Sequence, residues 1–122
     1  AYTFEELKRQ NNLLDKAEVF ADHVTFVYMK QAQIIENHYT YYDLHKLPDI
    51  LRNLKDVKIA FVFFEEENGM FKCLMRSKEH NVNELLKRFG GGGHKLAASF
   101  KVQTNEPDTV LANVLEEISD IL

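Results

Sequence analysis

The sequence predicts an α/β fold: a single layered domain with a mixed sheet of about four strands, a central hairpin among them, covered by about four or five helices. Three observations carry this. Residues 57–64 are nearly unbroken in apolar side chains, as in a central strand covered on both faces. Asn68-Gly69 then supplies a type I′ hairpin turn, because both positions tolerate positive φ. Amphipathic helical stripes stand on either side of this hairpin. At 122 residues the chain is the length of one domain.

The elements follow in order. Thr3 with Glu6 three positions on is a capping pattern, and it opens a helix that carries Leu7, Leu14 and Ala17 toward one side. Val24 to Met29, rich in β-branched and aromatic residues, is a strand. Thr40 with Asp43 caps a second helical region whose Leu47, Ile50, Leu51 and Leu54 keep the spacing of a buried face. Pro48 either kinks that helix or restarts it at a first turn. Met70 to Arg76 returns antiparallel to the central strand, with Phe71, Cys73 and Met75 on one face. Met70, Lys72, Leu74 and Arg76 share the other, and Arg76 ends the strand. Asn81 caps a helix with the apolar stripe Val82, Leu85, Leu86 and Phe89; Lys87 and Arg88 suit its negative end, and Gly90 terminates it. Ala98, Phe100 and Val102 alternate with Ser99, Lys101 and Gln103 in a further strand. The last helix begins near Pro107 and buries Val110, Leu111, Val114, Leu115 and Ile118.

Composition excludes several classes. Cys73 is the single cysteine, so no intramolecular disulfide forms, and a reducing, cytoplasmic setting is expected. No apolar run approaches the roughly 20 residues that span a bilayer, so no membrane partner is expected. A net charge of −4 argues against bulk nucleic-acid binding by long-range attraction. Between Lys72 and Lys95, however, six basic residues face two acidic ones, which makes a cationic island in an acidic body. That distribution suits a small or short polyanion better than a long duplex.

Inside the island lies the run Gly90-Gly91-Gly92-Gly93-His94, four of the five glycines beside one imidazole. Glycine lets backbone N–H groups approach an anion closely, so the run is the candidate phosphate site. The dinucleotide fingerprint is excluded, because Lys95 stands where its last glycine belongs, and His94-Lys95-Leu96 excludes the nucleoside-triphosphate loop. His23, His38, His45 and His80 are scattered without metal-ligand spacing, and no nucleophilic triad can be assembled. The chain has the marks of a phosphate binder without a catalytic centre of its own.

The blocks Leu74-Met75-Arg76-Ser77, Val82-Asn83-Glu84-Leu85 and Phe89-Gly90-Gly91-Gly92-Gly93-His94-Lys95-Leu96-Ala97-Ala98 closely resemble the C-terminal DHH-associated domain of the DHH phosphoesterases. Among these the chain is most similar to the bifunctional oligoribonucleases that also act as phosphoadenosine-phosphate phosphatases. The resemblance covers about Val57 to Leu122 closely and the first half more loosely. It implies that residues 1–122 are the substrate-binding lobe, with 1–22 including part of an interdomain linker helix, and that an N-terminal Asp-His-His lobe holds two manganese ions. This chain contains no Asp-His-His sequence and starts at Ala1 without an initiator methionine, as expected of a piece of something longer. On this basis no catalytic residue or metal ligand is assigned to the chain, which is expected to be inactive alone. Arg76, Ser77, Gly91, Gly92, Gly93 and His94 are the implied substrate-binding residues, with His94 assisting at the phosphate or leaving group. The implied partners are short RNA, a nucleotide or phosphoadenosine phosphate, together with the metal lobe; a homodimer is one assembly the resemblance admits. Other readings are a RecJ-like exonuclease, a cyclic-dinucleotide phosphodiesterase, and an RNA-binding or tethering module like the end of alanyl-tRNA synthetases. One departure stands out: the family continues Ala-Ala-Gly where this chain has Ala97-Ala98-Ser99, which strains the turn or narrows the pocket if that glycine needs positive φ.

Overall fold

The computed structural model describes residues 1–122. Its strands are β1 (Glu18–Phe20), β2 (Val24–Met29), β3 (Ile59–Glu67), β4 (Met70–Ser77), β5 (Gly92–His94) and β6 (Ala97–Gln103). They form one mixed sheet in the order β1-β2-β3-β4-β6-β5, six strands where the sequence predicts about four. The two extra ones, β1 and β5, are three-residue edge strands, too short to leave a periodic pattern. Only β2 and β3 run parallel, and their crossover carries α2 (Gln31–Glu36) and α3 (Tyr41–Arg52). The other helices are α1 (Phe4–Leu14), α4 (Val82–Lys87) and α5 (Pro107–Ile121), and no helix is long and apolar enough to cross a membrane.

Period-2 alternation divides the sheet between two cores. Ile59, Phe61 and Phe63 on β3 join Phe71, Cys73 and Met75 on β4 beneath α4 and α5. Ala60, Val62, Phe64 and Leu74 face the other way, onto Leu13 of α1 and Leu44, Leu47 and Leu51 of α3. The hydrophobic run of β3 is thus buried on both sides, and each fully buried phenylalanine contributes roughly 1.5–3 kcal/mol. Burial also pushes the Cys73 thiol far up, so it is an inert packing residue.

Two helices differ from their predicted faces. On α1 the Thr3 cap holds, with the Glu6 N–H donating to its Oγ1 at 3.1 Å, but Leu7 is exposed and the buried residues are Gln10 and Leu13. The reason is polar: Gln10 donates to the Asp43 carbonyl at 2.8 Å, and Arg9 pairs with the Asp43 carboxylate at 2.5 Å. In α3 the capping box forms in full, and Pro48 is accommodated inside one continuous helix. Leu54 lies past the end of that helix and is exposed.

Gly90, at φ +82°, ends α4 as expected, and the Gly91 N–H returns to the Leu86 carbonyl at 2.9 Å. A two-residue turn at Lys95-Leu96 then folds β5 back onto β6, with His94 opposite Ala97. A Cβ on Gly91 would lie 2.1 Å from the Ser99 carbonyl oxygen and 2.5 Å from the Phe100 Cβ, whereas one on Gly90 meets nothing within 4 Å. Gly91→Ala is therefore expected to cost at least the ~3 kcal/mol upper range of core overpacking. Gly90→Ala should cost about 1–2 kcal/mol, the conformational term alone. Denaturant midpoints of the two variants check the ranking; equal losses would show that the close approach of Gly91 to β6 is not limiting.

Candidate functional site

Register brings the predicted arginine and histidine together. Arg76 pairs with Ala97 across β4 and β6, and Ala97 pairs with His94 across β6 and β5. Directly paired residues project from the same face, so Arg76, Ala97 and His94 form one row, with the Arg76 and His94 backbones about 10 Å apart at two strand spacings. That face is the one α3 covers over β2, β3 and β4. Beyond α3 the sheet opens: Ala97 and Ser99 are half-buried, and His94 and Lys101 are exposed.

The Arg76 guanidinium lies at the foot of the α3 wall. Its Nε donates to Asp49 Oδ1 at 3.1 Å and its Nη1 to the Met75 carbonyl at 2.9 Å, while Nη2 makes no bond within the chain. Asp49 is shared with Arg52 at 3.2 Å. A half-fixed arginine with donors to spare is suited to a phosphate oxygen. The His94 side chain makes no hydrogen bond or ion pair and stands free at the rim.

Ser77 is a correction. It faces the core opposite Ile59, is buried, and donates its hydroxyl to the His80 carbonyl at 2.5 Å and its N–H to the Leu96 carbonyl at 3.0 Å. It holds the turn after β4 against the β5–β6 hairpin and presents nothing to a ligand. The glycines also act differently from an anion-binding nest. The N–H of Gly91 goes to Leu86 and that of Gly93 to Asn83 Oδ1 at 2.9 Å, so both donors are occupied inside the chain. Gly92 and Gly93 (φ +156° and +154°) instead make a bare edge strand, and a Cβ on Gly93 would meet the Ala97 oxygen at 2.7 Å. Ser99 has no positive φ and sits in regular β6, so the departure from glycine brings no backbone strain; its side chain shares the open face.

Sequence reasoning missed the wall of this site. Tyr41, His45 and Asp49 recur every four residues on α3, opposite the buried Leu44, Leu47 and Leu51, and that polar stripe was the available signal. Tyr41 packs against the His45 ring at 4.6 Å between centroids and bonds its Nε2 at 2.8 Å. Burial, then the nearby Lys72 and Arg76 cations, hold the His45 imidazole below its ordinary pKa. No three His, Cys, Asp or Glu side chains converge as a group that could hold a metal ion.

Fold and site together define an α/β domain with an arginine and a histidine in one row at the open end of its sheet. The chain belongs to the DHHA1 domain family, whose model matches residues 23–122. It is 34% identical over 70 residues to the bifunctional oligoribonuclease and PAP phosphatase NrnA of Bacillus subtilis, a match covering 57% of this chain and 22% of that protein. Its fold is similar to that of an exopolyphosphatase-related protein from Bacteroides fragilis (TM-score 0.80, 22% identity, 99% of this chain and 37% of that one). It is also similar to the C-Ala domain of Aquifex aeolicus alanyl-tRNA synthetase (TM-score 0.56, 17% identity, 82% of this chain and 97% of that one). The chain thus spans about a fifth of the length of the curated relatives it matches. Fold class and family are as the sequence predicts.

Folding disfavours the protonated His45 imidazole, chiefly through burial. The unfolded chain binds this proton more readily, so stability is full above the ordinary imidazole value near 6.5 and falls as pH drops below it, through the folded pKa. Following the His45 ring resonances by NMR should give a midpoint below that of a free histidine, and Lys72→Gln should raise it. A midpoint unmoved by Lys72→Gln would remove the lysine from the electrostatics of this wall.

Proposed function

We propose that this domain is the phosphate-recognising half of a two-lobed DHH-family phosphoesterase. The single observation that carries the reading is the Arg76–Ala97–His94 row, which aligns a half-fixed guanidinium at the edge of α3 with an imidazole free of side-chain partners, where the cover of that helix stops. Arg76 donates from Nη2 to one phosphate oxygen, while Asp49 keeps its plane in place. His94 donates from the opposite side of the same phosphate, to a non-bridging oxygen or to the departing one. Only the small Ala97 side chain stands between them, and the bare backbone of Gly92 and Gly93 keeps the adjoining edge low. Short oligoribonucleotides or phosphoadenosine phosphate are the substrates that the name of the Bacillus subtilis relative suggests. Manganese ions and the attack on phosphorus belong to a preceding Asp-His-His lobe, and no residue of this chain is assigned to them. A tethering role like that of the synthetase domain rests on fold likeness alone and gives no use to the free side of Arg76.

Titration of the chain with AMP, followed by amide NMR, should shift Arg76 and residues 90–95 at millimolar ligand, because half a cleft supplies part of the contacts. In the full-length enzyme His94→Ala should lower turnover roughly 10²-fold, the scale for losing one donor to developing charge. The melting temperature should stay unchanged, since the His94 side chain is exposed and has no partner in the chain. Shifts confined to another face, or unchanged turnover, would overturn the reading.

A further inference from the structure

The turn that joins β3 to β4 carries a reactive pair that the phosphate site does not use. Asn68-Gly69 is the one place in the chain where glycine follows asparagine. The backbone nitrogen after an asparagine can attack that residue's own side-chain carbonyl, and glycine, with no side chain, obstructs the approach least. The glycine cannot be exchanged freely, because Gly69 takes φ +79° and a Cβ there would collide with the Gln103 side-chain amide. Asn68 has no positive φ, so the turn departs from the type I′ form expected of the dipeptide.

Electrophile and nucleophile are held differently. Both residues line an open, polar concavity of about 740 Å³, and there the Asn68 side chain is exposed and hydrogen-bonds to nothing. The Gly69 nitrogen, by contrast, is engaged: its N–H donates to Glu65 Oε2 at 2.8 Å. The Gly69 carbonyl accepts the Thr104 N–H at 2.9 Å, and the Asn68 carbonyl accepts from Gln103 Nε2 at 3.2 Å. To attack, the nitrogen must lose its proton and turn toward Asn68 Cγ. A carboxylate on that N–H opposes both, because it favours the protonated nitrogen and repels the amide anion that would replace it. The Gln31 and Gly69 N–H groups hold Glu65 below the usual carboxylate range, which leaves it too weak a base to take the proton itself.

We propose that Asn68 is a deamidation site restrained by Glu65. When the turn opens, the Gly69 nitrogen bonds to Asn68 Cγ, and the side-chain nitrogen leaves as ammonia with the proton that Gly69 gives up. Water then opens the succinimide at one carbonyl or the other, leaving aspartate, or isoaspartate in which the backbone runs through Cβ. The net change is amide plus water to carboxylic acid plus ammonia, with no oxidant or cofactor. Either product adds a negative charge beside Glu65, Glu66 and Glu67. Isoaspartate also lengthens the turn by one backbone atom, at the place where the β3–β4 register shifts.

The test incubates the folded chain in neutral buffer and follows the tryptic peptide 59–72, in which Asn68 is the only side-chain amide, by mass spectrometry. Asn68 should deamidate roughly tenfold or more slowly than in the same chain unfolded in urea, the scale of one hydrogen bond to a charged group. Glu65→Ala should recover most of that factor in the folded chain. Glu65→Gln should fall between, since its one carbonyl oxygen serves only one of the Gln31 and Gly69 N–H groups. Gly90→Ala weakens the fold away from the turn and should leave the rate unchanged, and thermal melts verify that every variant is folded during the incubation. If Glu65→Ala slows the reaction, Glu65 is its base and the proposal is wrong. It is equally wrong if Glu65→Ala leaves the rate unaltered, or if Gly90→Ala speeds the reaction as much. Asn68 still intact in Glu65→Ala after it has reacted in the urea-unfolded chain would also overturn it.

Discussion

One extra residue in β3 sets the face on which the whole site is built. From Ile59 to Glu65 the β3–β4 ladder pairs residues in one register, and at the turn it shifts so that Glu67 opposes Met70, leaving Glu66 as a bulge. Without it, a two-residue turn at Asn68-Gly69 would bring Arg76 opposite Phe61, into the core beneath α4 and α5. With it, Arg76 lies opposite Ala60, on the α3 side. The carboxylate of Glu65 pins the irregularity by accepting the Gln31 N–H at 3.0 Å and the Gly69 N–H at 2.8 Å, and those two bonds hold its pKa below the usual range. Both faces of β3 and β4 are filled, so the parity chosen at the bulge cannot be undone farther along the ladder.

The site lies where coverage stops. α3 is anchored at its start by Asp43, a buried carboxylate that closes the capping box to Thr40 and receives Arg9, while its backbone carbonyl takes Gln10. These bonds lock α1 to α3 and fix where the helix runs on the sheet. Leu44, Leu47 and Leu51 then seat it on the strands, and the stripe Tyr41, His45 and Asp49 stands along the margin. A helix laid over β2 to β4 of a six-stranded sheet leaves β6 and β5 bare on that side, and the bare part carries Ser99, Lys101 and His94. The site is thus the step between a covered and an uncovered part of one surface.

Much of this was legible in the residues, and the misses share a cause. The central hairpin, the face assignment of β4, the α4 stripe and the Gly90 terminator follow from strong local signals: a full apolar run, strict alternation, an Asn cap and a positive-φ residue. The family itself was readable from Phe89 to Ala98. What failed is what tertiary partners decide. Gln10 is buried because of an acceptor on α3, and Leu7 is exposed because no element reaches it. Ser77 follows Arg76 in the motif, yet the pleat turns it to the opposite face, where a carbonyl is waiting. β5 contains two glycines, poor strand formers, and is a strand because β6 offers it an edge.

The glycine run therefore has two separable meanings. Gly91 exists so that the chain can pass against the backbone of Ser99 and Phe100, and Gly93 so that it can lie against Ala97. The Gly93 N–H, which would otherwise face outward on a sheet edge, is capped by the Asn83 side chain. These are requirements of a short, protected edge strand, and they would hold with no ligand at all. His94 ends that strand, and its side chain meets no such requirement: it is exposed, has no partner in the chain, and is carried by register into line with Arg76. The strand's architecture explains the glycines and leaves the imidazole unexplained. The claim of a phosphate site thus rests on the histidine and the arginine, and the glycines serve it by holding the rim bare and fixed.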